Sequence, residues 1–189
     1  MTVPPLLLLF LSAQPFWEAR PAAAWTDAEL KIMLSESPWA QGVGPSPQVE
    51  AILATAAPVV EAETELVRRL GAGRRPQPDP DYTDYLREHR TDHFVLAIPY
   101  TDLTRLGSAV DQRRLEEESV MRVGRRRIAM AGHFPPTPSD PVLRLIFPRA
   151  VTAADKSVAF ELYLPGVSQP ARLVEFRVKD LMYRGKLEM

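Results

Sequence analysis

The 189-residue sequence contains no cysteine. Disulfides, thiolate metal sites and cysteine nucleophiles are therefore excluded, as is a lipid anchor attached through a cysteine. An excess of one charge is also missing: 23 Lys and Arg stand against 24 Asp and Glu, a formal net charge of −1. Nucleic-acid binders carry a basic excess, so no nucleic-acid partner is expected. Glycine is scarce at 9 residues and proline plentiful at 19, which predicts short elements joined by rigid connections. The longest leucine-rich run, Leu6 to Leu11, falls far short of the about 20 apolar residues that a membrane-spanning helix needs. No dinucleotide-binding, P-loop, nucleophile-elbow or H-E-x-x-H pattern occurs, so no cofactor is implied and hydrolase or zincin chemistry lacks its usual signature.

What is present begins with a sufficient core. Hydrophobic residues make up 46 % of the chain, enough for one folded domain. The stretch "PPLLLLFLSAQPFWEARPAAA" reads as an export leader: an apolar run followed by the small residues Ala22-Ala23-Ala24. Residues 1–24 are assigned to that leader, with cleavage near Ala13 as the alternative position. Two features depart from the usual pattern: "MTV" carries no Lys or Arg, and the distance from Leu11 to Ala24 is long. The competing reading is an intracellular protein whose leucine run is core.

After the leader comes "WTDAELKIMLSESPWA". Thr26 and Glu29 have capping-box spacing, and Trp25 and Leu30 stand at the positions of a hydrophobic staple. Leu30, Met33 and Leu34 share one helical face. Pro38 ends the helix at Ser37, and Ser37-Pro38 opens a short turn towards Trp39. A helix this short is marginal alone, so Trp25, Leu30, Met33 and Trp39 must dock on something. Docking on the chain's own domain is the favoured reading, and a groove on a partner protein is the alternative. This segment, with "KDLMYRGKLE" at Lys179 to Glu188, resembles a group of uncharacterised exported bacterial proteins. They open on W-[ST]-x-x-E-x-x-x-M-L-x-x-S-P-W-A and close on K-D-x-x-Y-x-G-K-L-E. The resemblance implies export and architecture, not an activity.

Between these ends, Gln41 to Pro47 reads as a Gly/Pro/Ser linker, and residues 48–189 as a single α+β domain behind the docking helix and turn of residues 25–40. Val49 to Thr55 alternates like a strand, although Ser46-Pro47 could cap a helix. A helix beginning at Pro58 carries Val59, Ala62, Leu66, Val67 and Leu70 on one face, with acids early, Arg68 and Arg69 late, and Gly71 at its end. The polar, proline-rich stretch from Ala72 to Asp92 reads as a long surface loop, and His93 to Tyr100 as a strand. Thr101 or Asp102 would cap a further helix, with Leu103, Leu106 and Val110 facing in. From Ser119 the pattern is β: a hairpin about Gly124, then strands at Val142–Phe147, Val158–Leu164 and Val174–Val178, and a final strand or bend in "LMYRGKLEM". Two or three helices on one side of a mostly antiparallel sheet, with a β-rich C-terminal half, make an α+β fold.

Chemistry-bearing constellations are few. His89 and His93 have the four-residue spacing of two metal ligands on a helix, with Glu88 or Asp92 as a third. The segment borders a strand, however, where that spacing corresponds to roughly 13 Å. No metal site and no catalytic residues are therefore expected. His133 stands alone. Asp79, Asp81, Asp84 and Glu116 to Glu118 lie in polar stretches where solvation keeps carboxylates ordinary. Arg122, Arg125, Arg126 and Arg127 read as a solvated hairpin balanced by Glu116 to Glu118. The expectation is an exported, non-enzymatic module in the periplasm or outside the cell, binding or scaffolding a protein or other envelope component. The alternative is a secreted hydrolase assisted by a metal on His89 and His93.

Overall fold

A computed structural model describes residues 14–44, 49–71, 78–100, 109–167 and 169–189. Among these residues the fold is α+β, with five α-helices and eleven strands in antiparallel sheets. The first two helices are α1 (Phe16–Ala19) and α2 (Asp27–Ser35). Thr26 caps α2 in a complete capping box: its Oγ1 accepts from the Glu29 amide at 3.2 Å, and Glu29 accepts from the Thr26 amide at 2.7 Å. Ser37 closes the far end, donating to the Met33 carbonyl at 2.7 Å and accepting from the Trp39 amide.

The strands β1 (Ala40–Val43) and β2 (Val49–Leu53) follow as an antiparallel pair. The linker reading is corrected for Gln41 to Val43, which belong to β1; residues 45–47 lie outside the described residues. Gly42 in a short edge strand hides a segment held by backbone pairing to β2 rather than by side-chain pattern. Next, α3 (Ala57–Leu70) buries Val59 and Ala62 and ends on Gly71 at φ 82°, the left-handed conformation that glycine adopts without strain. Leu70 escapes the predicted inward face and is exposed. The predicted surface loop contains α4 (Pro80–His89). Asp79 caps it by accepting from the Asp81 amide at 2.8 Å, and Pro80 supplies the fixed φ of a first helical turn. Tyr82, Tyr85 and Leu86 then form its apolar stripe.

The remaining elements are β3 (His93–Pro99), α5 (Ala109–Glu118), β4 (Val120–Val123), β5 (Arg126–Ala129), β6 (Gly132–Phe134), β7 (Val142–Pro148), β8 (Ser157–Tyr163), β9 (Ala171–Arg177), β10 (Met182–Tyr183) and β11 (Lys186–Leu187). Thr101, Asp102, Leu103 and Leu106 lie outside the described residues. Val110 is 64 % exposed rather than inward, while Leu115 is the buried residue of α5.

The strands divide between two main sheets. One has the order β1-β2-β3-β7-β6, the other β5-β4-β8-β9, and β10-β11 is a separate hairpin. The segment read as one hairpin arm, Arg126 to Gly132, is split: β5 pairs with β4, and after Met130-Ala131 the chain crosses to pair β6 with β7. The two sheets face each other through aromatic rings. Phe147 and Phe160, from opposite sheets, have centroids 5.1 Å apart, and Phe94 and Phe176 each lie 6.0 Å from Phe160. On the other face of the five-stranded sheet, Val95 and Ile146 pack under Tyr82 of α4. Helix α5 contacts β8 of the four-stranded sheet. The outward face of that sheet is polar, carrying Arg122, Glu161, Glu175 and Arg177.

One core runs from Ala22 to Met189. Its closure joins the two ends of the chain. The Trp39 indole N–H donates to the Glu188 carbonyl at 2.9 Å, across 149 positions of sequence. Glu188 also accepts from the Ala57 amide at 3.2 Å, at the start of α3. Trp39→Phe keeps most of the ring packing but leaves that buried carbonyl without its donor. We expect a loss of about 1–3 kcal/mol, against about 3–5 for Trp39→Ala. Urea unfolding of the two variants measures the split, and a neutral Trp39→Phe would remove the hydrogen bond from this account.

Candidate functional site

The four side chains read from the sequence as a docking set lie in the protein's own core. Trp25 is 1 % exposed, and Leu30, Met33 and Trp39 are fully buried. A groove on another protein has no face of these four to grip, which corrects the partner-docking alternative. Trp25 is fixed further by its indole N–H, which donates to the Arg20 carbonyl at 3.0 Å.

His89 and His93 come together, contrary to the strand-based separation. His89 ends α4, His93 opens β3, and the turn at residues 90–92 folds the chain back. Their rings lie 5.9 Å apart, edge on, with Tyr85 4.6 Å from His89 and 6.0 Å from His93. The nearest acid is Glu88, 3.9 Å from the His89 Nε2 and largely exposed. Among the described residues no three His, Cys, Asp or Glu side chains are arranged to hold a metal. His133 stands 3.6 Å from Glu116 rather than alone.

The arginine cluster is neutralised by other partners than those expected. Arg122 pairs with Glu161 at 2.7 Å, and Arg126 donates to the Ala150 carbonyl and lies 3.7 Å from Asp155. Glu118 is engaged by Arg114 instead. The acid pairs are likewise structural: Asp79 caps α4, and Asp84 pairs with Arg87.

Most buried polar groups are tied within the fold, while the Nδ1 of His93 is buried with no hydrogen-bond partner among the described residues. Ser37 and Thr55 bridge backbone groups, with Thr55 Oγ1 donating to the Met189 carbonyl and accepting from the Val95 amide. Ser119 accepts from the Tyr163 amide. Asp140 and Arg144 form a two-pronged pair at 2.6 and 3.0 Å, and the Arg144 guanidinium lies 4.3 Å over the Tyr82 ring. Arg172 donates to the Gln169 carbonyl. Glu65, 6 % exposed, accepts from Arg68 and Arg69. The Arg68 hydrogen bond above all, followed by that of Arg69, overrides burial and holds its carboxyl down at about 2.

One open cleft among the described residues has a volume of about 720 Å³. Pro15, Trp17 and Glu18 form one wall, Glu36 to Pro38 and Gln41 a second, and Glu175, Arg177, Asp180 and Met182 a third. The Trp17 indole stands edge-on to Trp39, 6.0 Å away, so its buried edge is fixed by the core while the ring borders the cleft. Four carboxylates line the cleft against one guanidinium, Arg177, itself 2.6 Å from Asp180. Sequence reasoning missed this site because its walls come from three distant segments that share no period or motif.

Fold and cleft together define an antiparallel α+β protein with an open, acid-lined cleft. No family model, no curated protein and no solved structure matches the chain.

Two predictions follow from these groups. Because the carboxyl of Glu65 titrates lower when folded than its ordinary 4.5, its stabilisation is complete above 4.5 and is lost as pH falls towards about 2. Thermal unfolding across that window should show the loss in the parent protein and a flatter profile in Glu65→Gln. Zinc added to the purified protein and then dialysed away should leave well under one ion per chain. Stoichiometric zinc, lost in His89→Ala or His93→Ala, would revive a metal site.

Proposed function

We propose that the chain is an exported, non-enzymatic module that works by binding or scaffolding in the cell envelope. The observation that carries this reading is the use made of its buried polar side chains. Each of Ser37, Thr55, Glu65, Ser119, Asp140, Arg144 and Arg172 is tied to backbone or to an opposite charge within the fold. Catalytic acids and bases are instead left facing a reacting group, with their protonation tuned for transfer. The leucine run and the resemblance of both ends to exported bacterial proteins support export. The cleft beside Trp17 offers a partner an aromatic edge and a carboxylate-rich rim, which suits an envelope protein segment bearing Lys or Arg.

The convergence of His89 and His93 is the one feature favouring a metal-assisted hydrolase, and it lacks a third ligand among the described residues. Export is tested by fusing residues 1–24 to alkaline phosphatase, which is active only where its disulfides form. Phosphatase activity in whole cells is the expected result. An inactive fusion retained in the cytoplasm would overturn the reading.

A further inference from the structure

Residues 14–24, which precede Trp25, are built into the fold. Phe16 packs edge-on against Trp25, with centroids 5.2 Å apart, and against Trp17 at 4.9 Å. Ala22 is buried. Arg20 pairs with Glu29, the acid of the α2 capping box. Arg69, from α3, donates to the carbonyls of Trp25 at 2.7 Å and Ala23 at 3.3 Å. Glu18 accepts from the Arg184 amide at 3.0 Å, which ties the same segment to the C-terminal hairpin. Four attachments from three other parts of the chain therefore converge on residues 16–25.

Cleavage after Ala24 would strip away all of these except the Arg69 bond to the Trp25 carbonyl. Trp25, buried to 1 % exposure, would lose the ring of Phe16 and the acceptor of its indole N–H. A free ammonium would replace the amide nitrogen beside the carbonyl that Arg69 grips, setting two cations close together. The cleft would lose the wall made by Pro15, Trp17 and Glu18. A leader, by contrast, has to be dispensable to the fold it precedes.

We infer that the processing site lies after Ala13, so that the mature chain begins at Gln14 and keeps residues 14–24 as a structural strap. This rests on the export reading above. Ala13 follows the apolar run closely and places a small residue directly before the cut, with Leu11 two positions earlier. It also removes the long gap between Leu11 and Ala24. The Ala22-Ala23-Ala24 pattern is then a 3-10 turn that carries a buried alanine, not a recognition site.

The test has two arms. In the first, chains beginning at Gln14 and at Trp25, each behind an initiating Met, are made in the cytoplasm and unfolded thermally. The Gln14 chain should unfold cooperatively, and the Trp25 chain at a midpoint lower by about 10 °C or without a transition. Equal midpoints would overturn the strap without bearing on export. In the second, the full chain is expressed in a Gram-negative host and the exported product is weighed intact. A mass beginning at Gln14 is expected, with uncleaved precursor accumulating in Ala13→Lys but not in Ala24→Lys. An exported product beginning at Trp25 would overturn the inference and leave export standing. An intact Met1 in every fraction would overturn both.

Discussion

The hydrogen bond from the Trp39 indole to the Glu188 carbonyl is the constraint on which the rest of the structure depends. Around it, the Leu53 amide donates to the Trp39 carbonyl at 2.8 Å, Tyr183 stands edge-on to the Trp39 ring at 6.2 Å, and Thr55 reaches Met189. A backbone carbonyl buried without a donor is costly, so the last residues of the chain are placed by what Trp39, Ala57 and Thr55 offer them. Closing a loop of this length costs chain entropy that local contacts do not recover. The contacts that recover it here are among the most buried in the molecule.

This closure gives a physical reason for the pairing of the two sequence motifs. Residues 25–40 and 179–188 meet in space: the first contributes Trp39, and the second contributes Tyr183 and Glu188. Glu188 does further work at the start of α3, where its carboxylate accepts the Ala57 amide and sits at the positive end of a helix. Ala56 occupies the cap position without a side-chain acceptor, so a remote acid supplies what a local Ser or Asp normally would.

Legibility in the sequence followed the range of the interactions. The capping box of α2, the amphipathic α3 with its terminal glycine, the hairpin at Gly124 and the alternation in β8 and β9 depend on neighbours within a few residues, and all are readable. β1 is not, because Gly42 and its flanks carry no pattern and the strand exists through pairing with β2. α4 went unread because Asp79-Pro80, a good helix start, lies among other prolines that mark a loop. The division into two sheets includes a crossing at Met130-Ala131 that no turn residue announces. Of the candidate site, His89 and His93 were visible but their geometry was not: one residue belongs to a helix and the other to a strand, so neither period applies.

The cleft follows from the same closure. Trp17 is held by Trp39, Glu18 by the Arg184 amide, and Arg177 by Asp180, so each wall is fixed by its own contact, and the bond between Glu18 and Arg184 is made only once the ends have come together. Without the C-terminal hairpin the cleft loses that tie. Rigidity of this kind lowers the entropy lost when a ligand is bound. It also explains how an open cleft with an exposed acidic rim persists in a molecule whose other charges are paired into the fold: the rim groups are carried by the segments that hold the core shut.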